Sequence, residues 1–392
     1  MLEAAKAIYQ DIMRSLKTQI INGDYLPGQK LPTEYSLAKA FNCSRITSKK
    51  ALDELANEGL IVRVKGSGSY IAERVNPIAP EKNKNHFESK SNSESKNISM
   101  ILPPGFLAGN LMEYFYGAAA VLSERGYMLH IASVDPCDNA TDSDLIQQTI
   151  KNECAGIIYY PLFNTKETEL LTVLSMNAFP IVTIDKYIED LPISSVVSDN
   201  YGGAYAVTQI LLEKGHRQIA FVSNTDISSM NSVKMRFLGY ATALKDHGIL
   251  LKTDNIINNY SQTLMKEHPE IYKQLYQILP LQADQYGFFV DMIDRLRKGG
   301  VSAIVCANDI VAMYMMKACE HMGISVPGDM AVMGFDDHIV LRQVGLSVTT
   351  VRQDFHAIGY RAAELLLEKI DDRGAPCKNI VLPVEVIERA SS

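Results

Sequence analysis

The sequence predicts an α/β protein that combines a small N-terminal winged helix-turn-helix domain with a large, two-lobed, doubly wound α/β domain. Three observations lead to this fold class. Short helical patterns followed by a hairpin occupy residues 1–75, a polar stretch fills residues 76–97, and apolar runs alternate with helical stretches over residues 98–392. We therefore expect two folded parts joined by a linker.

The first part carries the patterns of three short helices. The first helix is indicated by apolar residues that recur every four positions, namely Ile8, Ile12, Leu16 and Ile20. A second helix is expected after Thr33 as N-cap, and a third runs from Ser44 as N-cap to an end near Gly59. Residues 60–72 hold two β-rich runs around a glycine-rich tip, which predicts a hairpin. This order of elements is typical of a winged helix-turn-helix.

Residues 76–97 read NPIAPEKNKNHFESKSNSESKN, a proline-marked polar stretch that predicts a flexible linker. The net charge of the chain differs before and after this linker. Residues 1–75 contain eleven Lys and Arg against eight Asp and Glu, a net charge of +3, and the remaining chain has a net charge of −10. Because binding to phosphates needs local positive charge, we expect any nucleic-acid contact to lie in the first part.

Residues 98–392 alternate short apolar runs with helical stretches, as in a parallel sheet covered by helices. The predicted strands are residues 98–102, 128–133, 156–160, 180–184, 219–223, 303–306 and 331–334. Roughly 290 residues exceed one open sheet, so two lobes with a cleft between them are expected.

Several classes of protein are disfavoured by what the sequence lacks. No apolar run approaches the ~20 residues of a membrane helix, and the first residues lack the order of a secretory signal, so we expect a cytoplasmic protein. The six cysteines form no CxxC pair, and no GxSxG, Walker A or HExxH motif occurs. We therefore expect no metal, no cofactor and no catalytic residues.

Residues 31–71 read LPTEYSLAKAFNCSRITSKKALDELANEGLIVRVKGSGSYI and resemble the GntR family of bacterial transcription regulators. The LPTE start, the SRxT motif, the AL-x-x-L-x-x-x-G-L block and the GxG wing tip carry this resemblance. It implies that the third helix enters the major groove of DNA. The expected contacts come from the start of that helix: Ser44, Arg45, Thr47, Lys49 and Lys50.

Arg45 is the best candidate to read a guanine through a bidentate contact to O6 and N7. Thr47, Lys49 and Lys50 are expected to bind phosphate or a thymine methyl group. Glu34 could orient Arg45, accept a hydrogen bond from a cytosine amine, or be a solvated charge at the start of a helix.

The wing tip departs from the family pattern. Family members often have a basic residue where this chain has Ser67, and an arginine where it has Lys49. Lysine is a point charge without the fork of arginine, so sequence reading by Lys49 should be poorer. Gly66 and Gly68 either let the backbone approach the minor groove or serve a hairpin that needs positive φ.

The chain from about residue 98 to residue 390 resembles the effector domain of LacI-type repressors and the sugar-binding periplasmic proteins. The blocks GHRQIAF, AND, GFDD and TTVRQDF are the main carriers of this resemblance. It implies a periplasmic-binding-protein-like fold in which three crossings join two lobes. A small ligand would lie in the cleft between them.

Matching positions in the family motifs give the expected effector-binding residues: Asp185, Arg236, Asn308, Asp336 and Gln353. A sugar hydroxyl both donates and accepts hydrogen bonds, so carboxylates, amides and a guanidinium can bind several hydroxyls of one ring. The alternative is structural: Asn308 would only cap its helix, and Asp336 and Asp337 would cap strands or pair with arginines.

A GntR-like head on a LacI-like domain resembles the arabinose repressor family of Gram-positive bacteria. This resemblance implies a homodimer that binds double-stranded operator DNA and is released by a small sugar, L-arabinose in the first place. Another pentose, a hexose or a disaccharide could use the same polar residues, and the sugar could act as corepressor or in activation. A sugar-binding module without gene control and a sugar-processing enzyme are the other classes considered.

Residues 261–284 form a helical-looking stretch where LacI-like domains usually pass directly to the next helix. Its apolar positions suggest an amphipathic helix that packs on the domain or on a partner: Leu264, Ile271, Leu275 and Ile278. A surface insertion without a role is the alternative.

Overall fold

The computed structural model describes residues 12–13, 16, 29–41, 43–57, 61–64, 68–71, 95–103, 109–133, 142–161, 168–276, 281 and 283–392. The chain divides into two compact units, Met1–Lys90 and Ser91–Ser392, called the head and the body below. The boundaries expected at residues 75 and 98 stay predictions, because residues 72–94 lie outside the described part.

The head contains two helices and an antiparallel hairpin with complete bounds. These elements are α1 (Glu34–Ala40), α2 (Arg45–Asn57), β1 (Ile61–Val64) and β2 (Gly68–Ile71). Thr33 caps α1, since its Oγ1 accepts from the Ser36 N–H at 3.2 Å. Ser44 Oγ accepts from the Thr47 N–H at 3.2 Å, which caps α2 as expected.

The core of the head uses one face of each element. Its buried members are Ile12, Leu16, Leu31, Leu37, Ala51, Leu52, Leu55 and Ile61. Ile12 and Leu16 are helical, as the four-residue spacing predicts, whereas Ile8, Ile20 and Gly59 lie outside the described residues. The winged helix-turn-helix prediction therefore agrees with the described elements.

The body contains two parallel sheets whose elements alternate along the chain. In order they are β3 (Asn97–Ile101), α3 (Met112–Glu124), β4 (Met128–Ala132), α4 (Asp142–Lys151), β5 (Gly156–Tyr159), α5 (Thr168–Met176), β6 (Ile181–Ile184), β7 (Ser194–Ser198), α6 (Asn200–Glu213), β8 (Ile219–Val222), α7 (Asn231–Asp246), β9 (Ile256–Ile257), α8 (Tyr260–Glu267), α9 (Pro269–Tyr276), α10 (Gly287–Lys298), β10 (Ala303–Cys306), α11 (Asp309–His321), β11 (Ala331–Met333), α12 (Ile339–Gln343), β12 (Thr350–Arg352), α13 (Phe355–Asp371), β13 (Asn379–Leu382) and β14 (Glu385–Ile387).

Lobe 1 is built on a six-stranded parallel sheet with the order β13-β7-β6-β5-β3-β4. Helices α3 and α13 cover one face of this sheet, and α4 and α5 cover the other, so the apolar strands are buried on both sides. Helices α3 and α13 pack backbone to backbone at Gly117 and Gly359. A Cβ at either glycine would lie 2.0 Å from a carbonyl oxygen of the facing helix.

Lobe 2 is built on a four-stranded parallel sheet with the order β11-β10-β8-β9. Helices α6 and α7 pack on one face, and α8, α10 and α11 pack on the other. The chain passes between the lobes at residues 198–200, 352–355 and 382–385, and β12 pairs with β14 beside two of these passages. The predicted two-lobed, doubly wound architecture is confirmed.

The structure adds elements that the apolar patterns did not predict. Strand β7 has the sequence SSVVS, and its serines are buried although they resemble loop residues. The short strands β9, β12, β13 and β14 were also missed. No helix in the described residues is both long and apolar enough to cross a membrane.

Candidate functional sites

A cavity of about 600 Å³ lies between the two lobes of the body. All five residues expected to bind an effector line it: Asp185, Arg236, Asn308, Asp336 and Gln353. Asp185 and Asp336 follow the ends of β6 and β11, and Asn308 precedes α11. Arg236 lies on α7, and Gln353 lies on the passage between the lobes at residues 352–355. The structure therefore brings together side chains that are up to 168 positions apart, from 185 to 353.

Arg236 is the fixed cation on the lobe 2 side of the cavity. Its Nε donates to Asn200 Oδ1 at 2.7 Å, and its Nη1 donates to the Ala307 carbonyl at 2.6 Å. The guanidinium carbon lies 3.8 Å from the ring centroid of Phe335, and Nη2 lies 3.2 Å from Asp336 Oδ1. These contacts hold the buried guanidinium in one position before any ligand arrives.

Asp336 and Gln353 lie beside this cation and complete a polar cluster. Gln353 Nε2 donates to Asp336 Oδ1 at 2.6 Å. Burial raises the pKa of Asp336 to about 6, although Arg236 acts to lower it. Gln353 Oε1 is buried and has no hydrogen-bond partner among the described residues. A buried acceptor of this kind favours a ligand that donates a hydrogen bond.

Lobe 1 contributes a second charged pair from Asp185 and Lys186. Lys186 Nζ lies 2.7 Å from Asp185 Oδ2 and 3.7 Å from the ring centroid of Tyr160. Burial acts to raise the pKa of Asp185, but the Lys186 charge outweighs it and the pKa falls below its ordinary value. Burial lowers the pKa of Lys186, against the opposing effect of Asp185. Each lobe thus presents a buried cation, which lies beside a buried carboxylate in lobe 1 and beside a half-buried carboxylate, that of Asp336, in lobe 2.

Asn308 caps its helix and also lines the cavity. Its Oδ1 accepts from the Val311 N–H at 2.9 Å and caps α11, as the structural alternative expects. Its Nδ2 donates to Asn224 Oδ1 at 3.2 Å, and both amides line the cavity.

Both acids of GFDD pair with arginines, as the structural alternative also expects. Asp336 lies 3.2 Å from Arg236, and Asp337 lies 2.8 Å from Arg352 and 2.5 Å from Arg389. They differ in that Asp336 lines this cavity and Asp337 does not.

The cavity-lining residues that the sequence analysis did not predict include Lys186, Tyr160 and Asn110. Asn110 precedes α3 in lobe 1, and its side chain reaches lobe 2. There its Nδ2 donates to the Asp337 carbonyl at 3.0 Å, and its Oδ1 accepts from the Ile339 N–H at 3.2 Å. Asn110 therefore links the two lobes across the mouth of the cavity. No motif marked it, because its neighbours have no regular pattern.

The start of α2 forms the candidate nucleic-acid interface of the head. Arg45 is 75% exposed, and its Nε lies 2.9 Å from Glu34 Oε2. Glu34 also accepts a hydrogen bond from Arg63. Burial acts to raise the pKa of Glu34, but the hydrogen bonds from Arg63 and Arg45 lower it overall. The structure thus places Glu34 where it can orient Arg45.

The remaining predicted residues of the head surround Arg45 on the surface. Ser44 and Thr47 share a hydroxyl contact of 2.9 Å, and Lys49 and Lys50 are exposed on the same helix. Ile46 is 80% exposed directly after Arg45, and sequence analysis did not single it out. An exposed apolar side chain at this position suits a thymine methyl group.

The wing is described in part. Gly68 has a φ of +126°, which supports the structural interpretation of that glycine. A Cβ there would also lie 2.8 Å from Lys30 Cε. Gly66 and Ser67 lie outside the described residues, so their expected role stays a prediction. Within the described part of the chain, no cluster of three or more His, Cys, Asp or Glu could hold a metal ion.

Comparison with known families agrees with the division of the chain into a head and a body. The model for bacterial regulatory proteins of the gntR family matches residues 8–71. The periplasmic binding protein-like domain matches residues 208–392, and the model for periplasmic binding proteins and the sugar binding domain of the LacI family matches residues 111–279. The chain joins a GntR-type head to a LacI-type body. These matches are those of a transcriptional regulator, as are the relatives that match the chain over most of their length.

Two relatives of the regulator match it over most of their length. An arabinose metabolism transcriptional repressor from Geobacillus stearothermophilus is 25% identical over 390 residues, which cover 98% of this chain and 97% of the relative. A protein of the same name from Halalkalibacterium halodurans is 27% identical over 375 residues, covering 93% and 89%. These relatives are bacterial DNA-binding regulators.

Solved structures confirm the fold of the regulator. The transcriptional regulator CelR–cellobiose complex superposes with a TM-score of 0.62 at 20% identity, covering 89% of this chain and 90% of that one. The transcription regulator CcpA of Lactococcus lactis gives a TM-score of 0.61 at 20% identity, covering 76% and 99%.

Proposed function

We propose that the regulator represses carbohydrate-utilisation genes and leaves its operator when a small sugar, L-arabinose in the first place, binds in the body. The observation that carries this proposal is the cavity lined by two ion pairs, one from each lobe. One pair comes from Asp185 and Lys186, and the other comes from Arg236 and Asp336. L-arabinose is chosen because both relatives described above are named arabinose metabolism repressors.

The chemistry of the cavity suits a neutral polyhydroxylated ligand. Each sugar hydroxyl can donate to a carboxylate and accept from a guanidinium, an ammonium or an amide. Asp336 and Asp185 accept, Arg236 and Lys186 donate, and the unpartnered Gln353 Oε1 accepts one further hydroxyl. A sugar that leaves any of these buried groups unpaired loses affinity, which gives selectivity.

The head supplies DNA binding through the start of α2. Arg45 would read guanine, and Thr47, Lys49 and Lys50 would contact phosphates or a thymine methyl group. Ser44 and Glu34 would lie beside these contacts. The wing residues Gly66, Ser67 and Gly68 would approach the backbone or the minor groove. A homodimer would place two heads on a pseudo-palindromic operator, since the symmetry of the protein and that of the site then agree.

Coupling between the two ligands follows from linkage. If sugar binds more tightly to the form that binds DNA poorly, sugar lowers DNA affinity by the same factor by which DNA lowers sugar affinity. Closure of the lobes around the sugar is the expected change of form. Corepression would need only the opposite preference.

The test measures DNA release by the full chain. An operator fragment selected from genomic DNA by the full chain is labelled, and fluorescence anisotropy follows its release as L-arabinose is added. We expect release by the wild type and none by Asp336→Asn, which keeps the size of the side chain and removes its charge. Asp371→Ala is the matched control, because this acid lies on the surface and pairs with Arg125.

Other outcomes separate the alternatives. Release by a hexose or a disaccharide instead of L-arabinose would keep the mechanism and change the ligand. Tighter DNA binding in the presence of sugar would establish corepression. If no sugar alters DNA binding, or if Asp336→Asn responds like the wild type, the proposal is wrong.

A further inference from the structure

Asp309, the first residue of α11, is a fully buried acid that does not line the cavity. Both oxygens of its carboxyl group accept hydrogen bonds: Oδ1 from the Thr350 hydroxyl at 2.6 Å, and Oδ2 from the His338 N–H at 2.7 Å. Its own N–H donates to the Phe335 carbonyl at 2.8 Å. Asp309 therefore connects the start of α11 to the turn after β11 and to β12.

The turn after β11 has a backbone conformation that needs support. Asp336 has a φ of +119° and Asp337 a φ of +49°, so two consecutive residues other than glycine have positive φ. Such conformations persist only where the surrounding structure holds them. The hydrogen bonds of Asp309 reach Phe335, directly before this pair, and His338, directly after it. Asp309 thus holds the strained pair from both ends.

Gly334 leaves the space that the carboxyl group of Asp309 occupies. A Cβ at Gly334 would lie 2.0 Å from Asp309 Oδ1 and 3.3 Å from Thr350 Oγ1. Beside it, the Asp336 N–H donates to the Val351 carbonyl at 2.7 Å, so the turn runs along β12. The turn and β12 are therefore packed closely around one carboxyl group.

Each segment that Asp309 joins carries a residue of the cavity. Asn308 directly precedes it, Asp336 lies in the turn, and Gln353 follows β12. Gln353 Nε2 also donates to Asp336 Oδ1 at 2.6 Å, so a shift of the turn against β12 changes this contact.

The carboxyl group of Asp309 is only partly ionised near neutral pH. Burial raises its pKa to about 7 and the charge of Asp336 adds to the rise, whereas the hydrogen bonds from Thr350 and His338 act to lower it. A neutral amide of the same shape is therefore a close substitute for this group. What the surrounding segments need is its hydrogen-bond geometry.

We propose that Asp309 is a positioning residue of the effector site. It fixes the turn at residues 335–338 against β12, so that Asp336 and Gln353 keep their places in the cavity. Because groups that are fixed in advance lower the ordering cost of binding, loss of Asp309 weakens binding although no ligand contact is removed. This inference rests on the proposed function, since it assumes that the cavity binds a sugar.

The test combines calorimetric titration of full-length variants with thermal unfolding of the same samples. The sugars are L-arabinose, D-galactose and cellobiose. For the sugar that the wild type binds, Asp309→Ala should raise Kd roughly tenfold, as when buried donors lose their acceptor. Asp309→Asn keeps an acceptor for the His338 N–H and can donate to the Thr350 hydroxyl, so its Kd should stay close to that of the wild type.

A second pair of variants tests the inference if Asp309→Ala does not fold. Thr350→Val removes one of the two donors with little change of shape and should raise Kd several-fold. Thr208→Val is the matched control, because Thr208 is equally buried, does not line the cavity, and donates to the Ala204 carbonyl of its own helix at 2.7 Å. Its Kd should equal that of the wild type, whatever its unfolding midpoint.

Hydrogen exchange of the full chain without sugar gives an independent readout. The His338 amide loses its acceptor in Asp309→Ala and should exchange several-fold faster than in the wild type. If no sugar binds the wild type, the proposed function fails, and this exchange rate still tests the hold of Asp309 on the turn.

Three results would overturn the inference. The first is an unchanged Kd in Asp309→Ala or Thr350→Val together with a lower unfolding midpoint, which would make the role of Asp309 structural only. The second is a loss of affinity in Thr208→Val or in Asp309→Asn as large as that in Asp309→Ala. The third is an unchanged exchange rate of the His338 amide.

Discussion

The two arginines assigned to recognition have opposite surroundings. Arg45 in the head is 75% exposed and is held by one carboxylate, that of Glu34. Arg236 in the body is 5% exposed and is held by an amide, a backbone carbonyl, a carboxylate and the face of an aromatic ring. A DNA phosphate or base can replace the one carboxylate that an exposed arginine contacts, whereas a small neutral ligand needs donors that are fixed in advance.

This comparison explains how each arginine would act. An exposed pair contributes little to stability, so Arg45 can exchange Glu34 for a base at little cost. The free energy of unfolding falls strongly when a buried arginine loses its partners, so Arg236 must keep its position with and without the ligand. The predictions below test this difference, from the largest expected effect to the smallest.

Replacement of Arg236 should have the largest effect. Arg236→Ala leaves the half-buried carboxylate of Asp336 without its buried cation and removes the donors to Asn200 and Ala307. We expect the free energy of unfolding to fall by about 3–5 kcal/mol, as when a buried pair loses one partner. Urea unfolding measures this loss, and calorimetry should show no sugar binding.

Arg236→Lys provides the control for charge. Lysine restores a cation but lacks the planar fork that serves three acceptors at once. We expect partial recovery of stability and little recovery of sugar affinity. Full recovery of sugar affinity by lysine would show that the fixed geometry of the guanidinium is not needed.

Replacement of Arg45 should weaken DNA binding and leave the body unaffected. Loss of a bidentate contact to guanine costs about 1–3 kcal/mol. Arg45→Ala should therefore bind the operator roughly 5- to 150-fold more weakly in anisotropy titrations, with an unfolding free energy close to that of the wild type. Equal weakening on operator and on random DNA would instead assign Arg45 to phosphate binding.

Sugar binding should depend on pH through Asp336. Burial raises the pKa of this carboxyl to about 6 against the effect of Arg236. The ionised form accepts hydrogen bonds from hydroxyls and pairs with Arg236, so binding is strongest above that pH and declines as the carboxyl becomes protonated below it. We expect Kd to rise roughly tenfold from pH 7 to pH 5.

The matched variant for the pH experiment is Asp336→Asn, which has no carboxyl to titrate. Its residual sugar binding should vary less over the same range. An identical pH profile in wild type and variant would assign the titration to another group of the cavity.

Replacement of Asn110 should have the smallest effect. Asn110→Ala removes two hydrogen bonds between the lobes, and each such bond contributes about 0.5–1.5 kcal/mol. The closed arrangement of the two lobes should become less stable, so the affinity for sugar should fall several-fold. The affinity for DNA in the absence of sugar should not change. Stronger sugar binding in this variant would mean that Asn110 stabilises a form that excludes the ligand.

Sequence patterns predicted much of the fold because parallel strands buried on both faces are short apolar runs. Strands β3, β5, β8 and β10 follow such runs closely. Strand β7 was missed because its buried serines look like loop residues, and β12 and β14 were missed because strands of three residues carry too short a pattern.

Some residues of the cavity were likewise predicted from the sequence, and others were missed. Asp185, Arg236 and Asp336 were predicted from motifs, and they share one cavity. Lys186 was missed because a lysine next to an aspartate is typical of a solvated surface, and its burial depends on packing that sequence does not reveal. The position of α8 beside the cavity was missed because an amphipathic pattern predicts the buried side of a helix and gives no information about what the other side faces.

The central claim is that the cavity between the lobes binds the sugar that controls the head. The most direct measurement is a calorimetric titration of the full chain with L-arabinose and the other sugars, repeated on Asp336→Ala. The account predicts binding of one monosaccharide by the wild type and its loss in the variant. Absence of binding by every sugar to the folded wild type, or equal binding by Asp336→Ala, would contradict it.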